Sequence, residues 1–180
     1  MKIEKITAVH HGRAYNLEEV EVALPNGKQK TYDRIDHRDS VTILPLDEDN
    51  NIWFVRQFRL GSQSELVELP AGVMERGEEP LDCARREIRE EIGMAANQWR
   101  KLGSFYLAPG YATENNHVFL AKELLSSPLP MDEDEFLKIE KYPINEVLQM
   151  IREDAIHDGK SLAALAIFIQ LFPELTGATR

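Results

Sequence analysis

The stretch from Gly72 to Met94 constrains this chain more than any other, because it prescribes a turn, a helix and a crowd of like charges in one continuous segment. Pro80 suits the first helical turn, where its missing N–H costs nothing. Gly93 supplies the stop. Leu81, Ala84, Ile88 and Ile92 recur at spacings of three and four and give the helix a buried stripe. Positions three and four apart are neighbours on a helix, so Glu87, Glu90 and Glu91 gather together, roughly 100° from the apolar stripe by the helical repeat. Carboxylates this close repel one another unless a cation neutralises them, and a hard divalent ion, Mg²⁺ or Mn²⁺, suits an all-oxygen donor set. Arg86, next to the cluster, is placed to pair with one member and fix its rotamer. Composition alone would favour a solvated acidic face, since charge runs usually mean exposed faces.

The order of the residues decides between these readings. Gly72, Glu78, Arg86, Glu87, Ile88, Glu90, Glu91, Gly93 and Met94 fill every fixed position of the pattern G-x₅-E-x₇-R-E-U-x-E-E-x-G-U, where U is apolar. That pattern is the Nudix box, and the chain resembles Nudix hydrolases on this ground. A match at so many specified positions is far more specific than a short glycine motif.

The chain's 180 residues suit one compact domain with a small N-terminal addition, and 43% hydrophobic and 29% charged residues are ordinary globular values. No apolar run is long enough to span a bilayer, and the first residues lack a signal-peptide pattern. Cys83 is the single cysteine, which fits a reducing cytoplasm, and it reads as a small helix filler. A net charge of −10 without a basic cluster argues against polymeric nucleic acid as a partner. A small anionic substrate remains compatible if metal ions and a few arginines reverse the field locally.

Residues 1–38 read as strands with turns, a β-hairpin extension in which Asn26-Gly27 follows the alternating segment Leu17 to Leu24. Strands are expected at Val41 to Leu46, Ile52 to Phe58, Glu65 to Leu69, Trp99 to Leu107, Asn116 to Ala121 and Phe136 to Tyr142, with a polar loop from Leu125 to Glu135. Helices follow at Ile144 to Arg152 and in the apolar segment capped by Ser161. Strands around a central helix, then two helices, make an α/β protein with a mixed sheet between helices. The resemblance implies the same α/β/α sandwich, with residues 39–180 as the hydrolase domain and residues 1–38 as a dimerisation element.

Val55-Arg56-Gln57-Phe58-Arg59, Glu68-Leu69-Pro70-Ala71-Gly72 and Pro109 are similar to signatures of ADP-ribose pyrophosphatases and related nucleoside diphosphate sugar hydrolases. Tyr111 lies near a position where dinucleoside polyphosphate hydrolases carry tyrosine. The resemblance implies hydrolysis of ADP-ribose to AMP and ribose 5-phosphate by a homodimer, which the single cysteine and the lack of a signal-peptide pattern place in the cytoplasm. GDP-mannose, dinucleoside polyphosphates or oxidised nucleotides are alternative substrates, and a nucleotide-sugar sensor without turnover is the alternative from another class.

The resemblance also implies the site. Glu87, Glu91 and Glu90 with the carbonyl of Ala71 would hold the metal, Glu78 would secure the loop or reach the metal through water, and Arg59, Glu68 and Pro109 would serve substrate binding. Arg56, on an alternating strand, is expected to point elsewhere. For catalysis the candidates are Glu90, Glu135 on the late loop with Glu133 beside it, and Glu114. The scattered histidines suggest no metal centre.

Overall fold

The computed structural model of the chain describes residues 1–130 and 136–177. Its contacts divide the chain into two units, one formed by Met1–Asp39 with Phe105–Asn115 and the other by the remaining described residues.

In the first unit, β1 (Lys2–His11), β2 (Tyr15–Ala23) and β3 (Gln29–His37) form an antiparallel sheet in that order. The β2–β3 hairpin turns at Asn26-Gly27, where Gly27 takes φ of +80° and the Asn26 side chain accepts from the Lys28 N–H. The expected hairpin thus supplies two strands of a three-stranded sheet. β1 closes it on β2 through a ladder with two register shifts, which obscure its period. On the other edge, Ile35 exchanges backbone hydrogen bonds with Tyr111 and Thr113.

The second unit is built on β4 (Ser40–Pro45), which is buried at every position. It pairs in parallel with β9 (Asn115–Ser126) and antiparallel with β7 (Ala71–Val73), and β8 (Met94–Tyr106) lies beyond β9, so this sheet is mixed. A second sheet runs β10 (Lys138–Pro143), β5 (Asn51–Arg59), β6 (Ser64–Glu68). Val41 and Ile43 cluster with Cys83, Ala84 and Ile88 of α1 (Pro80–Glu91) and with Ile92 at its C-cap. Strand alternation sends Thr42 and Leu44 to the opposite face, and α3 (Gly159–Leu171) also contacts β4. The sheet therefore lies between α1 and α3, the sandwich expected from the sequence. Each fully buried aliphatic side chain in this core contributes roughly 1.5–3 kcal/mol relative to exposure.

α2 (Ile144–Arg152) falls where its periodicity predicts, and a short α4 (Pro173–Thr176) follows α3. One expected cap is corrected. Asp158, not Ser161, is the N-cap of α3, and its side chain accepts from the Ser161 N–H. Arg56 points away from the Nudix segment into a two-pronged pair with Glu140 on β10, and with Tyr142 this holds the Glu140 carboxyl down at about 2. Burial, aided by the charges of Glu87 and Glu78, pushes the Cys83 thiol up, so it stays protonated as an inert filler. Among the described residues no helix is long and apolar enough to cross a membrane.

Candidate active site

The site begins with a turn fastened to the core. Leaving β6, the backbone passes Leu69 and Pro70 into β7. The Pro70 carbonyl accepts from the Ile43 N–H at 2.8 Å, and Ala71 and Gly72 sit in register with Thr42 and Val41. α1 packs on both β4 and β7, and its buried stripe is the one read from the sequence.

Packing on that stripe carries the carboxylates of α1 to the turn. Glu91 is 3% exposed, and its Oε2 accepts from the Ala71 N–H at 3.0 Å. Glu87 is 8% exposed and lies so close to Gly72 that a Cβ there would stand 1.9 Å from its Cδ and Oε1. Glycine at this position is a matter of space, since only a hydrogen fits between the turn and the carboxylate.

Arg86 organises the rest. Its Nε and Nη2 donate to the two oxygens of Glu78 at 3.0 Å each, while Nη1 donates to Glu87 Oε1 at 2.6 Å and Glu90 Oε2 at 2.9 Å. One guanidinium thus serves three carboxylates, where the sequence suggested one partner. The Glu78 hydrogen bonds raise the Arg86 pKa against the opposing effect of burial, with Glu87 and Glu90 adding to them, and the same bonds hold the Glu78 carboxyl low. Glu78 also accepts from the Glu75 N–H, which secures the loop before α1 as expected.

The donor chemistry fits a hard divalent ion. Glu87, Glu90 and Glu91 offer carboxylate oxygens, Ala71 offers a carbonyl, and the Gly72 cradle lets turn and helix approach closely enough to share a ligand. In the rotamers seen, the acids are held on Arg86 and the Ala71 N–H. No three His, Cys, Asp or Glu side chains among the described residues converge in cation-holding geometry.

A second constellation adjoins the turn through Glu68. This residue is 0% exposed. Arg59 donates to it in a two-pronged pair, Nε to Oε1 at 2.7 Å and Nη2 to Oε2 at 2.6 Å, and Lys160 Nζ also donates to Oε2. The Glu68 bonds raise the Arg59 pKa against burial, and the charges of Glu91 and Asp158 also reach it. Glu68 therefore meets two cations with its carboxylate.

The remaining candidates fall elsewhere. Pro109 and Tyr111 are exposed residues of the Phe105–Asn115 segment in the first unit. Glu114, in the same unit, has Oε2 3.6 Å from His37 Nδ1. Glu133 and Glu135 lie outside the described residues. Sequence reasoning missed Lys160 and Asp158. The one local signal, and for Asp158 alone, was the pairing of two capping residues, Asp158 and Ser161, three positions apart.

A glycine turn pressed onto helical carboxylates inside an α/β/α sandwich defines a site for oxygen-ligated metal and phosphate chemistry. The chain belongs to the NUDIX family, whose model, described as NUDIX domain, matches residues 36–165. It is a Nudix hydrolase, and divalent-metal dependence is general to that family. It is 36% identical over 165 residues to an ADP-ribose pyrophosphatase of Bacillus subtilis, covering 91% of this chain and 89% of that one. It is 35% identical over 172 residues to a methanol dehydrogenase activator of Bacillus methanolicus, covering 94% and 92%. A crystal structure of an ADP compounds hydrolase superposes with a TM-score of 0.86 over 96% of this chain and 94% of that one, and at 24% identity it speaks to the fold alone.

Proposed function

We propose that this enzyme hydrolyses the pyrophosphate bond of nucleoside diphosphate sugars, with ADP-ribose as principal substrate: water adds across the P–O–P bridge to give AMP and ribose 5-phosphate. The observation that carries this reading is the seating of Glu87 and Glu91 against the Ala71-Gly72 turn, with Arg59 held at the end of β5. The similarity to the Bacillus subtilis ADP-ribose pyrophosphatase supports the choice of sugar.

Glu87, Glu90, Glu91 and the Ala71 carbonyl would hold Mg²⁺ or Mn²⁺. When bound, such an ion neutralises phosphate charge and acidifies a water molecule. The protein's own part is to fix the donors. Arg86 restrains Glu87 and Glu90, the Ala71 N–H restrains Glu91, and Arg59 keeps Nη1 for substrate phosphate oxygens, since nothing among the described residues accepts from it. A panel of ADP-ribose, GDP-mannose and diadenosine polyphosphates, assayed with Mg²⁺ or Mn²⁺ for nucleotide release, tests the reading. Preference for ADP-ribose supports it, and absence of turnover on all three would sink it.

Glu135 is the general base in this reading, and Glu114 is the alternative. Glu114 already has His37 as a neighbour, which ties it to the first unit. Glu135→Gln should lower kcat by about 10²-fold, the usual contribution of a positioned base, while Glu114→Gln changes it less than about threefold. Steady-state kinetics with the opposite ranking would transfer the role to Glu114.

The first unit supports a homodimer, in a protein we place in the cytoplasm. β1 is an edge strand exposed at every residue, with Ile3, Ile6 and Val9 about half exposed along it. Exposed apolar edges of this length are ordinarily covered by another chain. Light scattering should report twice the chain mass at micromolar concentration.

A further inference from the structure

The charges around Glu68, three of them largely buried and Arg59 41% exposed, belong to a continuous chain of hydrogen bonds linking α3 to the turn. The Leu69 N–H donates to Ser161 Oγ at 2.8 Å, and Ser161 Oγ donates to Asp158 Oδ2. Lys160 Nζ lies 3.0 Å from the same Asp158 oxygen and also donates to Glu68 Oε2, and Glu68 in turn receives Arg59. Lys160 is 12% exposed, Asp158 15% and Glu68 0% by side chain, so these charges interact with little solvent between them. The tally is even, with Arg59 and Lys160 positive and Glu68 and Asp158 negative.

Glu68 alone would be a poor support for an arginine that must attract phosphate. A buried carboxylate in a two-pronged pair cancels the guanidinium's charge, and an anion arriving there would meet a neutral pair. Lys160 changes this by sharing Glu68 Oε2. The carboxylate still fixes the orientation of Arg59 through two hydrogen bonds, but part of its charge is answered from α3. We propose that Lys160 is a positioning residue for the anionic substrate: by counter-charging Glu68 it lets Arg59 be held rigidly and still act as a cation. Asp158 sets the limit on this effect from the other side. The proposal rests on the pyrophosphatase reading only for the identity of the anion.

The test uses opposite signs. Lys160→Met leaves one guanidinium against two acids, and should raise KM for ADP-ribose roughly tenfold, the loss of about 1.4 kcal/mol of charge attraction. Its kcat should change less than about threefold, because the loss falls on binding common to ground and transition states. Lys160→Arg keeps the charge and should recover most of the KM. Asp158→Asn preserves a good N-cap and an acceptor for Ser161 while removing a negative charge, so KM should stay level or fall. A role in packing or helix capping alone would make Lys160→Met and Asp158→Asn fail in the same direction, with loss of thermal stability and no rescue by arginine.

Calorimetric titration of each full-length variant with inorganic pyrophosphate gives the same ordering without turnover. If wild type turns over ADP-ribose and Lys160→Met shows its KM and pyrophosphate affinity unchanged, the proposal is overturned while the enzyme assignment stands. If wild type hydrolyses no nucleoside diphosphate sugar yet binds pyrophosphate in the predicted order, the assignment fails and the proposal survives. Wild type that binds no pyrophosphate overturns the proposal. Should Lys160→Met not fold, Lys160→Arg and Asp158→Asn decide it: a KM raised by Asp158→Asn, or raised tenfold by Lys160→Arg, counts against it, and the other outcomes support it.

Discussion

Gly72→Ala should abolish at least about 99% of turnover while leaving the protein folded and nearly as stable as wild type. The added methyl would stand 1.9 Å from Cδ and Oε1 of Glu87, a distance no contact tolerates. What yields is the carboxylate, since it is the end of a flexible side chain and the turn is fastened to β4 by backbone pairing. Gly72 is not among the residues with positive φ, so alanine meets no backbone strain there, and the smaller conformational entropy of the unfolded chain even favours the variant by about 0.4–1 kcal/mol. Against this stands the weakened bond from Arg86 to Glu87, but Arg86 keeps Glu78 and Glu90. The two stability effects offset, leaving the thermal midpoint within a few degrees of wild type. Activity has no such offset, because displacing a reacting constellation by about 1 Å costs on the order of 10²-fold. Thermal unfolding and ADP-ribose turnover measured on one preparation check this. Retained activity would show that Glu87 need not sit against the turn, and a collapse of stability would show that the turn, not the carboxylate, had moved.

The same position shows what the sequence can and cannot reveal. α1 was legible because all of its instructions are local: Pro80 at its start, apolar residues every three or four positions, and Gly93 with φ of +69° at its end. The acids on it followed from helical spacing, and their motif from residue order. β7 was not legible, since a three-residue strand exists only through pairing with β4, some thirty positions earlier. The Glu68–Lys160 contact spans 92 positions and joins a strand to a helix terminus. Nothing local to Lys160 distinguishes it from a solvated lysine, and no periodicity points to it. Glu68 was read within a motif, yet its burial between two cations could not be foreseen. The α3 cap illustrates a finer limit: Asp158 and Ser161 are both capping residues, and only the hydrogen bond to the Ser161 N–H shows which one begins the helix.

Glu91→Gln isolates the charge of one proposed metal ligand from its structural duty. Glu91 is buried, and its Oε2 accepts from the Ala71 N–H, so removal of the whole side chain would free a backbone donor and confuse two effects. Glutamine keeps an acceptor of the same reach for that N–H and removes only the negative charge. Its amide protons add a burial cost of about 1–3 kcal/mol where they find no acceptor, a loss that leaves a domain of ordinary stability folded. The loss of a charged oxygen from a hard-cation donor set is larger in effect. Weakening it forfeits several kcal/mol of transition-state charge stabilisation, and at about 1.4 kcal/mol per decade turnover should fall by about 10²- to 10³-fold. The Mg²⁺ or Mn²⁺ concentration giving half-maximal rate should rise in parallel, because the remaining donors bind the ion less tightly. That second readout separates a ligand from a residue that merely braces Ala71. A purely bracing role predicts a fall in thermal stability with an unchanged metal requirement, and that pair of results would remove Glu91 from the metal site.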